Sequence, residues 1–310
     1  MTTRTASFNI SDWTTAMRIP FATVAVVPFC VGILLAIFNG VPVSLPASIS
    51  GVIAVFLICT GCHLIGETAD KAEDAITLKT GRTKFSGGTL SVVQGKLNEK
   101  KVMKAAFVCF TVSAILGGII FYIHRSFWLV GLGSFGAAAA IFYSMPPVRL
   151  AKRGMGELVI GVCYGWLTIV TGYACASNTM PPDSYIWCWP VALTVFNIIL
   201  INEFPDYIPD STTGKRNIVV RIGMEKSQWI YTSASILTGI SIFSIWLRYR
   251  PFEFAFLAVA LPGILLSFAL AYLVAVKKLW KSHSTIEPVC ALTIVLNHIS
   301  SITIALLVRW

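Results

Sequence analysis

Apolar and polar positions alternate along this chain on a long scale. Nine stretches dominated by apolar residues begin near Met17, Ser48, Val102, Phe127, Glu157, Tyr185, Gln228, Phe252 and Glu287, and polar connections separate them. A helix needs about 20 apolar residues to cross the hydrocarbon core of a bilayer, and each stretch is long enough. The pattern predicts an all-α, polytopic membrane bundle of nine transmembrane helices. A polar, amphipathic segment (TTRTASFNISDW) precedes the first stretch in place of a short basic region, and no small-residue cleavage site comes after it, so that helix is expected to be retained.

Composition agrees with this reading. Of 310 residues, 56% are hydrophobic and 12% charged, where soluble domains carry about a quarter charged. The eight cysteines lie mostly inside apolar stretches with no paired framework, which argues for small buried residues over disulfides. Cys59 and Cys62 form a CxxC beside His63, but no second pair accompanies it. His124, His283 and His298 read as packed or interfacial.

The net charge of +10 could suggest a nucleic-acid partner, but its distribution points to the membrane. With the N-terminus in the cytoplasm, the connections after helices 2, 4, 6 and 8 share that side and hold eighteen of the 24 Lys and Arg. The opposite side has only Arg125, Arg248, Arg250 and Arg309. That is the positive-inside bias, and it predicts a protein of the cell membrane with a cytoplasmic N-terminus.

Acids are scarce and clustered. Gly66 to Asp74 (GETADKAED) and Asn202 to Asp210 (NEFPDYIPD) hold seven of the fourteen acids. Both keep one order, Glu67, Asp70, Asp74 and Glu203, Asp206, Asp210, which on a helix would share one face. Their recurrence four helices apart suggests a weak internal duplication into two pseudo-repeated halves. Massed carboxylates repel one another unless a cation neutralises them, and Mg2+ favours carboxylate oxygens shared with substrate phosphates. Lys79, Arg82 and Lys84 lead into Phe85-Ser86-Gly87-Gly88, and Gly214-Lys215-Arg216 comes after the second cluster. Cations beside such acids suit a diphosphate. The connection after helix 4 (YSMPPVRLAKRGMGE) adds Arg149, Lys152 and Arg153. An ordinary solvated loop would not explain the repeated spacing, whereas a positive-inside surplus alone is enough to place the cations there.

NEFPDYIPDSTTGKRNIVVRIG resembles the second aspartate-rich motif of the UbiA superfamily of intramembrane prenyltransferases. GETADKAEDAITLKTGRTKFSGGTLSVVQGKL resembles the first motif with its downstream segment, and YSMPPVRLAKRGMGELVIGVCYG the mid-chain segment. The resemblance covers Ser48 to Gly223 by motif and the rest by helix count. It implies that residues 1–310 form one such domain, a bundle around a central cavity with both acidic motifs at its cytoplasmic mouth.

The resemblance also implies the site. Asp70, Asp74, Asp206 and Asp210 would be catalytic and, with Glu67, Asn202 and Glu203, would hold Mg2+. Arg82, Lys84, Lys215 and Arg153 would contact the diphosphate of a polyprenyl donor, and Tyr143 would line the substrate cavity with Phe142, Tyr164, Trp166 and Tyr173. The family usually has Asn where this chain has Gly66, which offers no side-chain oxygen; Glu67 or His63 are the candidates to replace it. Pro209 is expected to bend the helix end in the second motif. Ionisation of the donor in a water-free cavity and capture by an electron-rich ring would complete the reaction. The FSGG run and the NEFPDY form are most like the branch that prenylates 1,4-dihydroxy-2-naphthoate in menaquinone biosynthesis. Relatives use 4-hydroxybenzoate, homogentisate, tetrapyrroles or lipids as acceptors, or cyclise the donor. A cation-coupled transporter is the alternative of another class, although its acids would lie at mid-membrane.

Overall fold

The computed structural model describes residues 9–85 and 87–309. Ser86 of the FSGG run, and the start of the amphipathic N-terminal segment with Arg4, lie outside the described residues. Among the described residues, nine helices are long and apolar enough to cross a membrane: α1 (Ile19–Phe38), α2 (Leu45–Ala69), α3 (Glu99–His124), α4 (Phe127–Ser144), α5 (Gly156–Ser177), α6 (Ser184–Asn202), α7 (Met224–Tyr249), α8 (Phe254–Ala275) and α9 (His283–Leu307). All nine expected helices are present. No strand occurs among the described residues.

Local sequence sets the helix starts. Ser44 caps α2 by accepting from the Ala47 N–H, and Asn98 caps α3 by accepting from those of Lys100 and Lys101; each satisfies amides that a first turn leaves unpaired. α5 and α6 are the most enclosed helices, whereas α3, α4 and α8 turn most of their surface outward. Phe107, Ile115, Tyr122, Phe135 and Leu265 are among the large exposed side chains on those outer helices. An apolar outer surface is what a bilayer requires, because lipid tails carry no penalty for it.

The tightest approach joins α1 to α5. A Cβ on Gly32 would stand 2.1 Å from the Ile169 carbonyl oxygen, and one on Gly172 would stand 2.0 Å from that of Phe29. Glycine on both partners lets two backbones touch, the usual device for packing helices in lipid. Midway along α5, Gly161–Leu167 widens into a π-helical stretch. Such a widening shifts the side chains beyond it and recurs at functional sites; here it carries Tyr164, which lines the cavity.

The acidic segments do not continue their helices straight, contrary to the shared-face expectation. α2 stops at Ala69, Asp70 sits at a bend (φ −102°, ψ 24°), and a separate helix, Lys71–Thr80, carries Asp74. α6 stops at Asn202, turns through Glu203 to Asp206, and resumes as Tyr207–Thr212. Pro205 accounts for this second break, since the residue before a proline avoids helical backbone. Pro209 is not the bending residue: it lies in the first turn of the short helix, where a missing N–H costs little.

Candidate active site

Both acidic segments nevertheless meet. A cavity of about 170 Å3 at one end of the bundle is lined by Glu67, Asp70, Glu73 and Asp74 from the first segment and by Asn202, Glu203, Asp206 and Asp210 from the second. Lys215, Arg18, His63, Tyr143 and Tyr164 complete much of its wall. Glu67, Glu73, Asp74, Glu203 and Asp210 are all buried, Asp74 only 1% exposed. Charges in such a place must be paired or functional.

The loop after the first segment folds over the acids. Gly87 N–H donates to Asp206 Oδ2 at 2.7 Å and Gly88 N–H to Asp74 Oδ1 at 2.9 Å, while Thr89 N–H donates to Glu67 Oε1. Gly87 and Asp206 are 119 residues apart in sequence, so this loop ties one motif to the other. Burial pushes the Asp74 carboxyl up to about 7, against the Gly88 amide and with repulsion from Glu67, Asp70 and Asp206.

Asp210 is held from both sides. Lys215 Nζ is 3.3 Å from its Oδ1, and Asn217 Nδ2 donates to its Oδ2 at 2.7 Å. Gly214, with a φ of +77°, adopts backbone that favours glycine, and the Lys215 N–H beyond it donates to the Asp210 carbonyl at 2.9 Å. Burial raises the Asp210 carboxyl to about 7 although Lys215 opposes the shift. For Lys215 burial works against the charge, but Asp70, Asp210, Tyr143 and Asp206 outweigh it and hold the ammonium well above its ordinary value. It stays protonated.

Three residues outside the predicted set matter. Arg18, just before α1, has a left-handed backbone (φ 49°, ψ 46°); its half-buried side chain donates to the Phe85 carbonyl at 3.0 Å and its guanidinium lies 4.4 Å over the Phe21 ring. Burial lowers its pKa, and Glu67 opposes this. Glu73 accepts from Lys152 at 2.7 Å and from Thr213 at 3.0 Å on the same oxygen. Glu157 accepts from the Ile218 N–H at 2.6 Å; burial, and then repulsion from Glu157, push the Glu203 carboxyl well up. The predicted cations fare differently. Lys215 lines the cavity, but Arg82, Lys84 and Arg153 are exposed and do not. Gly81 (φ +99°) ends the Lys71–Thr80 helix ahead of Arg82, the Lys84 N–H donates to Glu287, and Arg153 reaches back to the Pro147 carbonyl. Phe142 is exposed and, with Trp166 and Tyr173, is not part of the cavity lining.

Among the described residues no three His, Cys, Asp or Glu side chains stand in ready metal-ligating geometry. The donor set nevertheless fits a hard divalent cation. Glu67 Oε2, Asp74 Oδ2 and Asn202 Oδ1 are buried oxygens with no hydrogen-bond partner, and a buried orphan acceptor calls for a donor or a metal. Gly66 lines the cavity with open space where a Cβ would stand.

Residues 25–286 match the UbiA prenyltransferase family. The chain belongs to that family. Among UbiA relatives, 1,4-dihydroxy-2-naphthoate octaprenyltransferase of Bacillus subtilis is 25% identical over 201 residues, 65% of this chain and 62% of that protein. Chlorophyll synthase of Avena sativa is 27% identical over 136 residues, 43% of this chain and 36% of that one. The chain thus spans about half the length of these curated relatives. A UbiA homolog from Archaeoglobus fulgidus, solved bound to DMAPP and Mg2+, superposes with a TM-score of 0.68 at 15% identity, over 92% of this chain and 97% of that one. At that identity the likeness shows a shared fold.

Proposed function

We propose that this protein transfers a polyprenyl group from its diphosphate to an aromatic acceptor at the cavity, with residues 1–310 acting as one UbiA unit. The observation that carries this is the convergence of both acidic segments on one cavity, bridged by the Gly87 and Gly88 amides. Glu67, Asp70, Asp74, Asn202, Glu203, Asp206 and Asp210 would hold Mg2+, which when bound neutralises negative charge on the diphosphate.

The chain's own residues do the rest. Lys215, protonated and aimed at the acids, offsets charge on the departing diphosphate. Arg18 supplies a second cation in the cavity wall at the start of α1. Tyr143 and Tyr164 offer aromatic faces to the allylic group and help keep water away from it. Asp70, Asp74, Asp206 and Asp210 are the residues whose loss should stop turnover.

The acceptor we propose is 1,4-dihydroxy-2-naphthoate, leading to a menaquinone precursor, supported by the match to the Bacillus enzyme of that name. The match to a chlorophyll synthase favours a second reading, a tetrapyrrole acceptor. The distribution of Lys and Arg supports an N-terminus and an active site on the cytoplasmic side of the cell membrane. Purified protein incubated with an allylic diphosphate, Mg2+ and separate acceptors (dihydroxynaphthoate, hydroxybenzoate, homogentisate, chlorophyllide), with products read by mass spectrometry, tests both layers. Prenylated naphthoate is the expected product. A different prenylated acceptor removes the acceptor assignment alone, and a protein that releases no diphosphate from the donor is no prenyltransferase.

A further inference from the structure

Three consecutive backbone N–H groups, those of Gly87, Gly88 and Thr89, point at three acids drawn from both motifs: Asp206, Asp74 and Glu67. The arrangement depends on the two glycines. Gly87 has a φ of +66°, backbone that side chains disfavour. A Cβ on Gly88 would fall 2.2 Å from Asp74 Oδ2. Successive amides turned to one side form a concave, partially positive nest that binds anions.

In the ligand-free protein these amides do for the acids what a cation would do. Each donated hydrogen bond offsets part of the repulsion between buried carboxylates. Glu67 Oε2 and Asp74 Oδ2 remain without a partner, and Asp74 Oδ2 lies on the loop side, against Gly88. A carboxylate that turns such an oxygen away from the loop to meet a divalent cation carries its other oxygen off the amide. A buried N–H is then left unsatisfied unless another anion takes it.

We propose that residues 87–89 form a backbone cradle for the substrate's diphosphate, whose amides hold the motif acids in the ligand-free protein and pass to phosphate oxygens once the acids turn to the metal. This rests on the prenyl diphosphate reading above and adds a subsite to it. Arg18 steadies the cradle: it donates to the carbonyl of Phe85, two residues before Gly87, and the Phe85 ring meets Phe21 edge-on at 6.3 Å. Arg18 and Lys215 are the Arg and Lys side chains in the cavity lining, so an anion at the nest has cationic neighbours. The hand-over also explains why a loop should bond to acids that a metal needs: the loop keeps them together until the metal and diphosphate arrive.

Hydrogen–deuterium exchange of the full chain in nanodiscs, resolved to residues 87–89, tests the hand-over without any substitution. Three states are compared: chelator, Mg2+ alone, and Mg2+ with inorganic pyrophosphate, whose binding is measured in parallel by calorimetry. Mg2+ alone should speed exchange at these amides by about tenfold, the loss of one charge-assisted hydrogen bond each, and pyrophosphate should return it to the chelator rate or below. If pyrophosphate binds and exchange stays at the Mg2+ rate, the cradle is wrong and the proposed function survives. Unchanged exchange on adding Mg2+ overturns the hand-over. If pyrophosphate does not bind with Mg2+, the cradle and the prenyl diphosphate reading fail together.

Discussion

Thr213 Oγ1 donates a 3.0 Å hydrogen bond to Glu73 Oε1, across 140 residues of sequence. Lys152 Nζ reaches the same oxygen at 2.7 Å, so the connections after α2, α4 and α6 are pinned to one carboxylate. Glu73 is 4% exposed, and the pair with Lys152 depresses its pKa even though burial acts to raise it. The acids can converge on one cavity because their supporting segments are tied together beside it.

Replacing Glu73 by Ala should therefore loosen the site from outside the set of proposed ligands. The expected loss is about 1–3 kcal/mol, below the cost of breaking a fully buried pair because Lys152 keeps part of its surface in water. Thermal unfolding in detergent should show a lower midpoint for Glu73→Ala and a smaller drop for Glu73→Gln, whose amide oxygen still accepts from Thr213.

Asp74 and Asp210 carry carboxyls raised to about 7 in the metal-free protein. Their folded values exceed the ordinary carboxyl value, so the folded state holds protons that the unfolded state releases. Metal-free stability should fall as pH rises from about 4 to about 7, then level off. Cation binding runs the other way, since it needs the deprotonated acids. The rise in melting temperature on adding Mg2+ should grow between about pH 5 and about pH 7.5 and flatten above; an equal rise at both ends of that range would contradict the account.

Much of the fold was legible because each membrane helix announces itself in composition, and the acid clusters stood out against an acid-poor background. Of the cations, Lys215 was legible beside the second motif and Arg18 was not. Arg82, Lys84 and Arg153 stand beside the motifs in sequence, but a membrane protein places Lys and Arg on its inner side whatever the site needs, and the structure leaves these three exposed. Arg18 carried no local signal: it is far from either motif in sequence and enters the cavity because the start of α1 lies against α2, where His63 bonds the Met17 carbonyl. Glu73 fell inside the first cluster yet off the Glu-Asp-Asp spacing, and its partners Lys152 and Thr213 come from other connections. The bend at Pro205 could have been read from the residue-before-proline rule.

That difference between sequence and space can be measured. Single substitutions of Arg82, Lys84 or Arg153 by Gln should leave turnover within about twofold, the behaviour of solvated surface charges. Lys215→Met should lower it by about a hundredfold or more, the usual loss when a positioned charge-stabilising donor is removed. Steady-state rates at saturating donor separate the two groups.

Gly66 offers a gain-of-function test. The space beside it is open, and an interior helical glycine is costlier than most residues. Gly66→Asn should fold at least as well as the parent and bind Mg2+ more tightly, because it adds a side-chain oxygen next to the acids; calorimetric titration of the metal reads this directly.

The central claim is that acids from both segments act on one diphosphate. Mg2+-dependent release of diphosphate from an allylic polyprenyl diphosphate, in the presence of dihydroxynaphthoate, should be measured for the parent, Asp70→Ala and Asp206→Ala, with folding checked by melting temperature. The account predicts that both variants stay folded and lose about a hundredfold or more of the rate. A folded variant of either residue that releases diphosphate at the parental rate would contradict it.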